Sequence, residues 1–355
     1  MNIYKTTTMI GAIKQMAPVT SFLRDRYFPT TSADLFPSEE VLVEQKNGSN
    51  RKMAPIVVDG HDGITVGRNG YKSFRMEPPM VAPKRALTIN DMRKKGFGEA
   101  LFSDMTPDQR AAMLLAQDLT ELDEFHTNRE EYIAAKCMFE NGYTLRQYAD
   151  EYGDAANFKP YDMKFFEGDV NPATYTPGVK WDGTSSDKLA DIYHMIRMLT
   201  TNGNAATDVL LGADAADALL ADEKLQKLFD LNRFDIGSVS PQLMTNGAAL
   251  LGVLNIRGHR MNIITYDGTY EDEVTGEVLP FVPAKSICVT APGAGRGLYG
   301  CVTQTEQGDD STHSYMGRRV PRYWTDKAGQ ELRLASRPLF IPKTQNPFIT
   351  ATVLD

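Results

Sequence analysis

The residues best placed to do chemistry in this 355-residue chain are a glycine cluster, two acidic clusters and a scatter of histidines and cysteines. None of them completes a catalytic set. G-A-G-R-G-L-Y-G, Gly293 to Gly300, holds G-x-G-x-x-G at 295, 297 and 300. Glycines at that spacing let a backbone approach a pyrophosphate, but the dinucleotide fingerprint also needs a helix directly after it. Here L-Y-G-C-V-T-Q follows and reads as another strand, so the cluster is expected to be a turn. There is no G-x-x-x-x-G-K-[ST], hence no P-loop. D-L-T-E-L-D-E (118–124) and E-D-E (271–273) could do acid–base work or hold Mg²⁺. The first lies on a long helical pattern and the second flanks a turn signal, so both read as solvated surface. Cys137, Cys288 and Cys301 are widely spaced without a CxxC and read as buried thiols in a reducing cytoplasm. The histidines at 61, 126, 194, 259 and 313 lack metal-ligand spacing. Neither G-x-S-x-G nor H-E-x-x-H occurs. The expectation is a chain with no catalytic residue, no cofactor and no metal.

The elements around these residues are more telling than the residues. Thr106, Pro107 and Gln109 form a capping box with proline at the first helical position. Leu115, Leu119, Leu122 and Phe125, then Tyr132, Ile133, Cys137 and Phe139, recur at helical spacing up to Asn141-Gly142. That predicts a helix over 107–141, far longer than the usual three or four turns. A coiled coil and packing on the chain's own β-layer are both open to it, and the interrupted stripe favours the second. Phe22 to Thr31 (F-L-R-D-R-Y-F-P-T-T) reads as an apolar anchor in an extended N-terminal arm. Residues 39–85 read as a long β-hairpin, with E-V-L-V-E-Q and A-P-I-V-V-D-G as strands and a glycine-rich tip at 60–71. An isolated hairpin is barely stable, so such an arm is expected to lie on a neighbouring subunit.

Tyr143 to Phe166 reads as a strand pair. Residues 181–315 read as an α/β unit, with a helix closed by Asn202-Gly203, a buried strand at A-T-D-V-L-L and turns at Asp267-Gly268 and Thr275-Gly276. The segment 318–355, punctuated by Pro321, Pro338, Pro342 and Pro347, reads as strands that return to pair with 143–166. Trp324 reads as a core anchor. Hydrophobic residues make up 42% and charged residues 24%, ordinary globular values for a chain long enough for two or three subdomains. A net charge of -8 argues against sequence-independent nucleic-acid binding and suits a container wall. No apolar run is long enough to span a bilayer, and no signal peptide is visible, which places folding in a cytoplasm.

That order of elements resembles the α+β, HK97-like fold of tailed-phage major capsid proteins, in particular the phage lambda major head protein (protein E) family. The resemblance rests on F-L-R near Phe22, A-P-I-V (Ala54 to Val57), R-G-L-Y-G-C (Arg296 to Cys301), P-R-Y-W-T (Pro321 to Thr325) and S-R-P-L (Ser336 to Leu339). It implies an N-terminal arm at 1–44, an extended loop at 45–85, a peripheral domain at 86–180 with spine helix 107–141, an axial domain at 181–315 and peripheral strands at 316–355. It implies pentamers and hexamers of an icosahedral shell around packaged double-stranded DNA. The expected partners are further copies of the chain, a separate scaffolding protein (few residues precede Phe22) and a portal protein, with a decoration protein left open. DNA is expected to touch the wall only non-specifically. The expected location is the virion, after assembly in the host cytoplasm. The residues expected at inter-subunit contacts are Leu23, Tyr27 and Phe28 in the arm and Gly63, Val66, Arg68, Tyr71 and Lys72 in the loop. Some relatives of the fold join an extended-loop Lys covalently to a partner Asn, a role for which Lys72 could be placed; with no partner identified, no crosslink is expected here. A nanocompartment shell of the same fold is the alternative, and an enzyme using 181–315 is a more distant one.

Overall fold

Met9 and Ile13 stand one helical turn apart, and the N-terminal segment folds accordingly. In the computed structural model α1 (Thr6–Gln15) and α2 (Phe22–Tyr27) are helices, not the extended arm expected from the sequence. Met9 and Ile13 pack against Leu115, Leu119, Leu122 and Tyr323, and this tertiary burial stabilises a segment whose own pattern is weak. The structure describes residues 6–15, 21–46, 53–60, 62–66, 71–87, 106–140, 142–148, 157–165, 173–222, 225–226, 237–238, 242–244, 247–306, 311–326 and 329–355.

β1 (Val41–Lys46) and β2 (Tyr71–Met76) pair antiparallel, from Val41↔Met76 to Lys46↔Tyr71. They form the base of the expected hairpin. A-P-I-V-V-D-G is not a strand, however. Residues 53–60 are irregular, Pro55 has no N–H to give a ladder, and among the described residues no strand pairs with them. β3 (Lys84–Leu87) follows.

α3 (Pro107–Phe139) is the long helix, 33 residues and about 50 Å. Its start is set by chemistry. The Gln109 N–H donates to Thr106 Oγ1 at 3.3 Å, and the Thr106 N–H donates to Gln109 Oε1 at 3.0 Å. Its buried face lies on the chain's own β-strands and arm rather than in a coiled coil. The chain leaves the helix through Gly142, at φ 139°, where a Cβ would sit 1.8 Å from the Met163 carbonyl oxygen. Only glycine fits there, and it lets β4 (Gly142–Tyr148) pair with β5 (Phe158–Lys164).

α4 (Lys188–Thr201) is capped by Asp187, which accepts from the Ala190 N–H at 3.2 Å. It exits at Gly203, φ 85°, as Asn202-Gly203 predicted. Next come β6 (Asp208–Leu211), α5 (Ala213–Leu220), β7 (Gly237–Ser238), β8 (Gln242–Leu243), β9 (Ala248–Ile256), β10 (His259–Tyr266), β11 (Thr269–Glu271), β12 (Val278–Pro280) and β13 (Ser286–Thr290). The last third holds β14 (Gly295–Tyr299), β15 (Val302–Thr305), β16 (Thr312–Tyr315), β17 (Val320–Asp326), β18 (Gly329–Ala335), β19 (Pro338–Pro342) and β20 (Ile349–Thr352).

A seven-stranded sheet runs β20-β13-β6-β10-β9-β7, with β8 also on β9. Ile192, Met195, Ile196 and Leu199 of α4 cover one face of it, against Val209, Ile263, Ile287 and Ile349. The expectation that 318–355 pairs with 143–166 fails. Among the described residues β4 and β5 pair with each other alone, whereas β17 and β18 join β3, β19 joins β14, and β20 joins β13. β19 and three of the four residues of β20 are buried. Apolar strands of this kind take the partners that cover both faces, which the partly exposed β5 cannot do. The C-terminus therefore stitches the 181–315 unit to the rest of the chain.

Candidate functional site: a charge node and an exposed loop

The glycine cluster that resembles a nucleotide loop serves the arm instead. β14 pairs with β19, and the next element is the strand β15 rather than a helix. A Cβ on Gly295 would lie 2.2 Å from the Phe28 ring. The missing side chain makes room for Phe28, which packs on Phe340 and Phe348 with ring centroids 5.5 and 5.6 Å away. Thr30 Oγ1 donates to the Gly297 carbonyl at 3.0 Å, and Arg296 pairs with Asp34. Leu23, Tyr27 and Phe28, expected to meet a neighbouring subunit, are thus fully buried in their own chain. Their apolar area is already spent on this core.

Four parts of the molecule meet at two adjacent carboxylates of α3. Glu130 is fully buried and accepts from Arg24 Nη1 at 2.9 Å and Arg319 Nη1 at 2.6 Å, with Arg318 Nη2 at 3.4 Å. Arg319 Nε also donates to Asp123 at 2.5 Å. Burial alone would raise the Glu130 pKa; the guanidiniums, Arg319 foremost, hold it well below the usual carboxylate range. Glu131 accepts from the backbone N–H groups of Leu23 and Arg24 at 2.7 and 3.0 Å, from Tyr266 Oη at 2.8 Å and from Ser21 Oγ. It satisfies the start of α2 and ties it to β10. Beside it Arg26 Nε donates to buried Asp208 at 2.7 Å, and Asn262 donates to the same carboxylate at 2.8 Å. Arm, spine helix, seven-stranded sheet and C-terminal segment are held together by this node.

Sequence reading missed the node, although a signal was present. The buried stripe runs Leu115, Leu119, Leu122, His126, Glu130, Ile133, so two polar residues occupy core positions. Phe125, assigned to the stripe from sequence, is instead 52% exposed. His126 Nε2 lies 2.9 Å from the Leu334 carbonyl, and Nδ1 is buried without a partner. Burial, with help from Arg319 and against Glu130 and Asp123, pulls its pKa down to about 4. The folded state therefore holds His126 neutral. Its stabilising contribution is complete above the unfolded value near 6.5 and is lost as pH falls towards 4. Between pH 7 and pH 5 the subunit should lose about 2 kcal/mol from this group. Denaturant midpoints at the two pH values should show that loss in the native chain and much less of it in His126→Gln; an equal loss in both would remove His126 as the cause.

The other feature that sets this chain apart from an ordinary monomer is the loop between β1 and β2. Met53 is 91% exposed, Ile56 98%, Val58 75%, Ile64 60% and Val66 50%. Gly63, at φ 99°, and Val66 lie in this exposed segment. Tyr71 and Lys72 stand in β2, opposite Lys46 and Gln45. Arg68 lies outside the described residues. The sequence-predicted contact residues are therefore split between core and loop.

Nothing in the described residues assembles a reaction. No group of three His, Cys, Asp or Glu side chains could hold a metal there. A cleft of about 440 Å³ between the arm and β14–β19 is lined by Asp34, Arg296, Thr31 and Lys343 among apolar residues, with no histidine or cysteine. The three cysteines are free and buried, and burial pushes the Cys137 and Cys288 thiols up. Trp324, expected as a core anchor, is only partly buried, while Trp181 is buried and donates to Asp191 at 3.0 Å. Among the described residues no helix is long and apolar enough to cross a membrane.

Residues 5–353 match the family described as phage major capsid protein E. No curated protein matches the sequence. Among solved structures, a prophage protein of E. coli CFT073 assigned as its capsid protein shares the fold, with a TM-score of 0.64, 14% identity and 98% of each chain covered. A phage-related protein of Bordetella bronchiseptica RB50 gives a TM-score of 0.51 at 9% identity, over 95% of this chain and 93% of that one.

Proposed function

Because the chain belongs to the phage major capsid protein E family, we propose that its exposed loop at 53–66 is the surface by which each copy covers the next in a closed shell. The family membership makes it a structural protein of the virion with the HK97-like fold, not an enzyme. Its copies build the shell that contains the packaged DNA. The loop is the observation that carries the finer reading. Five large apolar side chains in one short stretch are far more than a soluble monomer leaves in water without a partner. Each gains about 1.5–3 kcal/mol when fully covered. Repeated around a ring, such modest contacts add by avidity. The loop and the surface it covers are different patches, so the contact is heterologous and closes into rings, here five- and six-membered.

Gly63, Val66, Arg68, Tyr71 and Lys72 then contribute to or support this contact. The buried Leu23, Tyr27 and Phe28 act indirectly, by fixing the arm from which β1 departs. A separate scaffolding protein, a portal protein and a decoration protein complete the proposed assembly in the host cytoplasm. The net charge of -8 keeps DNA contact non-specific and weak, as a container wall requires. Sedimentation of the purified protein, alone and with its scaffold, tests the reading. Particles far heavier than the 39.4 kDa chain are expected; monomers and dimers under all conditions would sink it.

A further inference from the structure

The β17–β18–β3 sheet has two unlike faces. Tyr323, Leu332 and Leu334 turn one onto α3. The other carries three cations in register: Arg322 stands opposite Arg333, and Arg333 opposite Lys84. Like charges directly opposite one another destabilise a sheet. Lys84 is compensated by Glu331 at 3.5 Å. The two guanidiniums are not. Arg322 donates to Thr305 Oγ1 at 3.2 Å and lies 5.2 Å from the Trp324 ring centroid. Arg333 donates to Gln304 Oε1 at 3.0 Å. Among the described residues no carboxylate pairs with either, and both Nε atoms are buried without a partner. Burial and the neighbouring Arg322 charge lower the Arg333 pKa from its ordinary value. By contrast, Arg24, Arg26 and Arg319 each have a carboxylate at 2.9 Å or less.

We propose that Arg322 and Arg333 form an oxyanion site on the β17–β18 hairpin, filled in the assembled shell by a carboxylate from a second copy of this chain. This rests on the shell reading above. Two guanidiniums at directly opposed positions of adjacent strands concentrate positive charge and Nη donors, a combination that a carboxylate satisfies. Each copy brings 46 acidic against 38 basic residues, so a neighbour's surface is rich in the required group. The same acidic excess repels phosphate, which argues against DNA as the occupant. In the free subunit the pair is a cost; in the shell it becomes a contact.

The test is Arg333→Met, which keeps most of the stem and removes the charge. The isolated subunit should unfold at the same or a higher denaturant midpoint, because the repulsion is gone. The protein concentration needed for shells should rise about tenfold, and shell stability should become less sensitive to salt. Arg322→Met should behave alike. Assembly at the wild-type concentration with unchanged salt dependence would overturn the proposal. So would loss of folding in both variants, since a pair the subunit needs is not waiting for a partner. Binding of a short DNA duplex to the wild-type chain that Arg333→Met abolishes would make the occupant phosphate and also overturn it. A wild-type chain that forms no shells at all would refute the shell reading instead.

Discussion

Glu130→Gln lowers the stability of the isolated subunit by about 3–5 kcal/mol, the usual cost of breaking a buried ion pair from one side. The carboxylate is fully buried and is shared by Arg24, Arg319 and Arg318. An amide supplies one acceptor oxygen and no charge. Arg319, almost wholly buried, keeps Asp123 as an anionic partner, and Arg24 keeps Asp25, but both lose the buried charge they share. Denaturant unfolding followed by Trp181 and Trp324 fluorescence measures the loss. The triple change Arg24→Met, Glu130→Leu, Arg319→Met should recover most of it, because apolar replacement of a whole buried network is close to neutral. A loss below about 1 kcal/mol in Glu130→Gln would mean that the node is solvated and does not lock the four parts together.

Replacing Ile56, Val58, Ile64 and Val66 together by serine gives the opposite profile. None of these side chains touches the core, so subunit stability should stay within about 0.5 kcal/mol of wild type. Closed shells should be absent, because each contact has lost most of its apolar area. Normal shells from the fourfold variant would show that the loop is not the assembly surface. The two experiments separate what holds the subunit from what holds the shell.

The parts of this account that were legible in the sequence are those set by near neighbours. The capping box at Thr106 to Gln109, the spine helix, the β4–β5 pair and the Asn202-Gly203 stop each depend on residues a few positions apart. The charge node does not. Glu130 meets Arg24 from 106 residues away and Arg319 from 189, and no periodicity encodes that meeting. For the same reason the turn expected at Gly295 and Gly297 was wrong: both lie in strand β14, where their missing side chains make a berth for Phe28 and Thr30. The strand run Ile349–Thr352 announces burial without naming its neighbour β13. The loop misled in a different way: A-P-I-V-V is an apolar, β-branched run like a strand, but a strand needs a ladder partner, and that is a property of the surroundings.

Cryo-electron microscopy of the assembled protein tests the central claim most directly. The account predicts closed shells of five- and six-fold rings in which residues 53–66 of every copy lie covered by a neighbour. Discrete monomers or dimers, or shells in which that loop still stands in solvent, would contradict it.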